Sequence, residues 1–287
     1  MKESGGREAG LFVGSGMRGV GKSYQTDLEC QSYVMNDPKI ARKGRRVLIF
    51  DVQMEAVWRK YPTLFFDIEN EDEYNRGSEI RKFCNSNPPI IETRRIVPLK
   101  KNRQPMTPTE YVSTIRTIAN SFSNGLFIAE DLNKYISHKN QDEILDLMIS
   151  LRHKGIDMYL HLQTLSKLTT NMWENVNWIR FHKQGDTIDR YKSRIPSYAV
   201  VKIAEIIVNK KYLENPRFFL FVSPMYEKIK GITRSDFITA CYEYLSINSK
   251  EINDMMKKVD LSGKKKYSNR ALAIDQWIKE HEYFITN

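Results

Sequence analysis

The sequence predicts an α/β protein with a mostly parallel central sheet flanked by helices and a short helical appendage at its C-terminal end. Three observations predict it. First, the apolar run Leu11-Phe12-Val13 passes through Gly14-Ser15 into a glycine-rich stretch, 16–23, and then into residues 24–34, which hold no Pro or Gly, so strand, loop and helix follow one another. Second, further apolar and β-branched runs alternate with helix-compatible segments, the pattern of βαβ units with helices on both faces of the sheet. Third, no apolar run approaches the roughly 18 residues needed to span a bilayer, and the mean hydropathy is −0.52.

The elements follow in order. A turn at Lys43-Gly44-Arg45 introduces the second strand, 46–51, and 90–97 contains a third. Between them, 62–89 is polar and reads as an irregular insertion holding one helix at about 77–84. Residues 109–122 read as a helix stopped by Asn124-Gly125, and Leu126-Phe127-Ile128-Ala129 as a buried strand ending in Glu130-Asp131. A helix over 142–153 closes at Lys154-Gly155, and 158–163 returns as a strand. After about residue 246 the character changes: 250–259 is a short amphipathic helix, 261–266 a basic hinge, and 269–284 a final helix with Ala271, Ile274, Trp277 and Ile278 on one side. The expected domains are therefore 1–245 and 246–287.

Composition bounds the function. The 287 residues, 41% hydrophobic and 28% charged, suit one or two globular domains rather than a disordered chain. Cys30, Cys84 and Cys241 are odd in number and scattered, so neither a disulfide framework nor a zinc site is expected. The opening MKESGGREAG lacks a signal-peptide core, so the expected location is the cytoplasm, with no membrane partner. A net charge of +10 predicts attraction to polyanions without choosing among them.

A motif narrows the choice. Residues 16–23, GMRGVGKS, satisfy GxxxxGK[ST], the phosphate-binding P-loop. Glycines let such a loop turn its backbone N–H groups inward, and the helix that follows points its positive end at the same spot. Gly16, Met17, Arg18, Gly19, Val20, Gly21, Lys22, Ser23 and Tyr24 are thus the expected ATP-binding segment, with Lys22 on the β- and γ-phosphates and the Ser23 hydroxyl on Mg²⁺. In a parallel sheet, ligands sit outside the carboxyl ends of the strands, where strand-terminal acids meet the loop. Glu130 is expected to hold Mg²⁺ directly or through water, and Asp131 to polarise the attacking water as general base. Such enzymes usually carry Asp before Glu, so the division of labour between the two stays open.

A third pattern is the helix-strand unit 145–163, with Arg152-His153-Lys154-Gly155 at its turn and Gln163 at its end. Together with the P-loop and the acidic pair, it resembles the HerA/FtsK-like branch of the RecA-like (ASCE) P-loop ATPases. Within that branch it is similar to the genome-packaging ATPases of DNA viruses and phages. The similarity extends over roughly residues 8–245, including an apolar closing strand at 217–226 and the segment 228–237. It implies a homo-oligomeric ring of five or six subunits that threads double-stranded DNA and couples ATP hydrolysis to its movement, docked on a procapsid portal in a host cytoplasm. Gly16, Gly21, Lys22 and Ser23 match the family's P-loop, and Glu130 and Asp131 match its acidic pair in reversed chemical order. Gln163 falls where the family has a polar sensor of the γ-phosphate or the attacking water. Arg152 falls where related motors carry an arginine that enters the neighbouring subunit's site, a role for which Arg18 and Arg180 compete. The plain alternative for Arg152 is a surface residue complementing a helix C-terminus.

A translocating motor needs sequence-independent phosphate contacts, which Lys and Arg on loops provide. Lys100, Lys101 and Arg103 form the densest basic loop of the core, Lys134 and Lys139 follow the acidic pair, and Lys264, Lys265 and Lys266 make the hinge. Merely solvated loops are the alternative for each. Other function classes fit less well. A GTP switch would need Asn-Lys-x-Asp, and Asn133-Lys134-Tyr135-Ile136 lacks the acid. A P-loop kinase would share the loop but needs neither a strand-terminal Gln nor an arginine from a neighbour. Among translocases, assembly or secretion ATPases resembling zonula occludens toxin are the main rival, yet they are usually membrane-anchored and no spanning segment is expected here, while a plasmid-transfer ATPase stays an open alternative.

Overall fold

The apolar runs become strands because both of their faces are covered. In the computed structural model, which describes residues 9–40, 42–131, 147, 151, 154–259 and 262–286, every residue of β2 (Arg46–Phe50), β4 (Gly125–Ala129) and β5 (Asp157–Leu162) is buried. Predominantly apolar runs of this kind are what a parallel sheet covered on both faces requires. The described chain divides into two compact units, Met1–Lys167 and Leu168–Asn287.

In the first unit, β1 (Leu11–Ser15) and β3 (Thr93–Ile96) join these three strands in the order β3-β2-β4-β5-β1. All four pairings are parallel. The last strand in sequence is therefore inserted between the P-loop strand β1 and the acid-bearing strand β4. Helix α1 (Lys22–Val34) covers one face: Cys30 joins Val47, Ile49, Leu126, Ile128, Tyr159 and Trp58 in a single cluster. The opposite face presents Phe50, against which Tyr111 of helix 108–121 packs edge-on at 5.9 Å. Successive strand residues point to opposite faces, so Ile49 and Phe50 alone fix which helix lies on which side. The helix over 108–121 starts as its sequence dictates, with a Thr107–Glu110 capping box and Pro108 in its first turn.

The amino edge of this sheet is tied by one carboxylate. Asp157, fully buried at the start of β5, accepts hydrogen bonds from the Gly10 amide at 2.8 Å and the Tyr33 hydroxyl at 2.5 Å. It also pairs with Arg45 at 3.2 Å. Four segments distant in sequence thereby meet at a single side chain.

The second unit contains β6 (Trp178–His182), β7 (Phe219–Ser223) and β8 (Lys228–Lys230), paired antiparallel in that order. Its longest helix, Tyr198–Glu214, is buried at every position from 200 to 208, as a helix without a polar face must be. Lys202 on that helix bonds Glu205 at 2.6 Å and Asp189 at 2.8 Å, clasping the preceding loop. Helices Thr170–Asn175, Arg234–Ile247, Ser249–Met256 and Arg270–His281 also belong to the unit.

Two expectations need correction. The insertion 62–89 holds two helices, Glu73–Arg76 and Ser78–Cys84, because Asp72 caps a separate short turn by accepting from the Tyr74 amide. In the last helix Ala273, not Ala271, joins Trp277 and Ile278 in the buried face, with Ala271 exposed. Of the expected helix 142–153, only Leu147 and Leu151 are among the described residues, and both are helical.

Asp157→Ala is expected to lower the unfolding free energy by about 3 kcal/mol, the scale for stripping one partner from a buried charge network. Urea denaturation measures it, and a change below about 1 kcal/mol would show the tie to be dispensable.

Candidate active site

The P-loop lies where β1 ends. Gly19 and Gly21 take left-handed backbone angles, φ 84° and 87°, and Gly21 is the residue from which α1 departs. An L side chain at either position would be strained. No acid occupies the first turn of α1, so its positive end is available to an anion. Lys22 crosses the loop, its ammonium donating to the carbonyls of Gly16 at 2.5 Å and Met17 at 2.9 Å. Arg18 and Gly19 are exposed, Ser23 is half-buried and Tyr24 is 59% exposed.

These residues line a cavity of about 630 Å³, within the range of small-molecule sites. Its other walls come from three strand ends. From β4 come Glu130 and Asp131, from β5 His161, Leu162 and Gln163, and from the loop after β2 come Gln53, Glu55, Ala56 and Val57. The structure therefore brings the P-loop, the acidic pair and Gln163 together, as expected at the carboxyl edge of a parallel sheet.

The two acids occupy different environments. Glu130 is 1% exposed and lies 3.3 Å from His161 Nδ1. Burial, reinforced by the negative charges of Glu55, Asp51 and Asp131, pushes its carboxyl up from 4.5 to about 9. Asp131 is half-buried, has a left-handed backbone (φ 41°) and accepts a hydrogen bond from the Gln53 side chain. A non-glycine residue held there is locally strained, a feature that collects at functional sites.

Gln53, Glu55 and His161 were not singled out from the sequence. The loop carrying the first two is fastened at both ends. Asp51 accepts from the Glu55 amide at 3.0 Å and from Arg95 at 3.0 Å. Asp27 of α1 accepts from Lys60 at 2.6 Å and Tyr61 at 2.7 Å. The available signal was the polar end of β2 at Asp51, which the carboxyl-end rule marks as surely as it marks Glu130.

Arg152, Lys134 and Lys139 fall outside the described residues. Arg180 is 1% exposed, with Nε donating to His182 at 3.2 Å, so it does not project from the surface as a finger must. Lys100 pairs with Glu110 at 2.8 Å, whereas Lys101 and Arg103 are exposed on the same turn. Lys264, Lys265 and Lys266 are exposed. Lys100, Lys101 and Arg103, which share the first unit with the cavity, do not line it.

No protein-family model matches the sequence, and no curated protein matches it. Solved structures do match. The genome packaging NTPase B204 from Sulfolobus turreted icosahedral virus 2, in complex with AMP, superposes with a TM-score of 0.51 and 13% identity, over 77% of this chain and 95% of that one. The same protein in complex with sulfate gives a TM-score of 0.50 and 12% identity, over 77% and 94%. The chain has a RecA-like P-loop NTPase fold. At these identities the likeness is one of fold, and it agrees with the resemblance to viral packaging ATPases read from the motifs. No helix among the described residues is long and apolar enough to cross a membrane.

Glu130 makes stability depend on pH. Its folded value is raised, so between about pH 4.5 and 9 the folded chain keeps a proton that the unfolded chain has lost, and stability falls as pH rises through that window. Glu130→Gln cannot ionise. Its melting temperature relative to the parent is expected to rise steadily from about pH 5 to about pH 9; a difference independent of pH would contradict the burial argument.

Proposed function

We propose that this protein is an ATPase that moves double-stranded DNA, a subunit of a viral or phage genome-packaging motor. The observation that carries the reading is the convergence of P-loop, acidic pair and Gln163 on one cavity. The fold likeness to a genome packaging NTPase supports it, as does the net charge of +10.

In this reading the loop amides of 16–24 and Lys22 bind the triphosphate. Water attacks the γ-phosphorus and gives its proton to Asp131, Gln163 orients that water, and ADP leaves. Ser23 and Glu130, which both line the cavity, would supply oxygen donors to Mg²⁺, Glu130 as the carboxylate left when the metal displaces its proton. Bound there, Mg²⁺ neutralises phosphate charge. Arg152 enters a neighbouring subunit's site in a ring of five or six, so that turnover depends on subunit contact. Lys101 and Arg103, together with Lys100, Lys134, Lys139 and Lys264–Lys266, hold the DNA backbone. Residues 1–245 form the motor domain, 246–287 an appendage toward DNA, portal or neighbour, and the motor works in the cytoplasm.

Lys22→Ala is expected to abolish ATP hydrolysis, and parental rates in that variant would remove the P-loop assignment. Long double-stranded DNA is expected to stimulate hydrolysis at low salt, with the effect fading as salt rises. Absence of stimulation at every salt concentration would remove the motor reading while leaving nucleotide binding intact. Mixing Asp131→Ala with Arg152→Ala subunits should recover part of the activity at mixed interfaces, and none would recover if Arg152 acted only within its own chain.

A further inference from the structure

His161 belongs to neither signature motif, yet it stands between the helix that leaves the P-loop and the acid of β4. It lies on β5, the strand inserted between β1 and β4, and its ring is 4% exposed. The register pairs it with Gly14 of β1. A β-carbon at Gly14 would stand 2.9 Å from Tyr159 Cε1 and 3.2 Å from His161 Cδ2, so β1 forgoes a side chain where the two rings lie. Tyr159 meets the imidazole edge-on at 5.4 Å and 86°, which restricts its rotation.

The polar contacts of the ring run in two directions. Nε2 is 2.7 Å from Thr26 Oγ1, one turn into α1. The single Thr26 hydroxyl proton is donated to the Lys22 carbonyl at 3.1 Å, so the hydroxyl accepts from Nε2–H. The other nitrogen, Nδ1, then keeps its lone pair and lies 3.3 Å from Glu130 Oε1, where it accepts the proton that the buried carboxyl retains. One imidazole thus stands between the helix that begins with the P-loop lysine and the buried acid of β4.

We propose that His161 is a positioning residue of the nucleotide site, linking Thr26 of α1 to Glu130 so that the acid is held at a set place relative to the P-loop. The inference rests on the ATPase reading for its effect on turnover, but the link itself is a property of the folded chain. Residues that orient the groups of such a site typically change activity by 10–100-fold when removed. Neither Thr26 nor His161 is part of the loop expected to grip phosphate, so nucleotide affinity should change little.

The test has a kinetic and a spectroscopic arm. His161→Phe keeps a ring of similar size but breaks both contacts, and Thr26→Val breaks one. Each is expected to lower kcat by about 10-fold or more, with the affinity for a fluorescent ATP analogue held within about threefold. The double variant should be no worse than His161→Phe, because both changes cut the same link. His161→Gln, which can still donate to Thr26, should recover part of kcat. Affinity and kcat falling together, or losses that add in the double variant, would reduce His161 to a packing residue.

The spectroscopic arm uses protein labelled with ¹⁵N-histidine, without nucleotide. The His161 ring should show Nε2 protonated and Nδ1 bare, with Thr26→Val shifting Nε2 and Glu130→Gln shifting Nδ1. The opposite tautomer, or indifference to both substitutions, would overturn the link. Should the parent protein hydrolyse no ATP, the functional reading fails on its own and the nitrogen shifts still decide the link.

Discussion

Parallel pairing is the constraint on which the rest of the first unit depends. Five strands running one way place all their carboxyl ends on one edge, and the order β3-β2-β4-β5-β1 decides which ends are neighbours. The P-loop at the end of β1, Gln163 at the end of β5, the acids at the end of β4 and Gln53 after β2 become consecutive walls of a single cavity. The opposite edge performs the complementary task. There Asp157 gathers Gly10, Tyr33 and Arg45, so the strands that present the site are held together at their far ends.

The site conflicts with ordinary folding preferences. A carboxyl buried to 1% exposure beside other acids favours its protonated form, and Asp131 next to it adopts a backbone that L residues avoid. Residues chosen for stability alone would be apolar at 130 and glycine at 131. Local rules broken while the surrounding sheet satisfies them are the mark of a functional site. The positive end of α1 and the Lys22 ammonium belong to the same cavity, where phosphates would bring negative charge of their own.

Strands β2, β4 and β5 were legible because largely apolar runs that follow glycine turns leave few alternatives, and the P-loop because its glycines and lysine have fixed spacing. The acidic pair was legible from its position after a strand. His161 was hidden for a physical reason: its importance comes from lateral neighbours on α1 and β4, which lie 135 and 31 positions away along the chain. Register, not local pattern, brings them within reach. Arg180 shows the converse. A charged residue in an apolar run looked available in sequence, yet the fold buries it and turns it toward His182.

The sequence by itself determined that the chain holds a P-loop between a strand and a helix, that acids follow a later strand, and that strands and helices alternate. Local propensity and spacing suffice for such features, since each depends on residues within a few positions of one another. Tertiary structure alone decided the rest: that β5 enters between β1 and β4, that the loop after β2 closes the cavity, that Glu130 is buried while Asp131 is held by Gln53, and that Gly14 makes room for an imidazole. Burial and side-chain contact are properties of strands brought together from distant parts of the chain, and only the packed sheet specifies them.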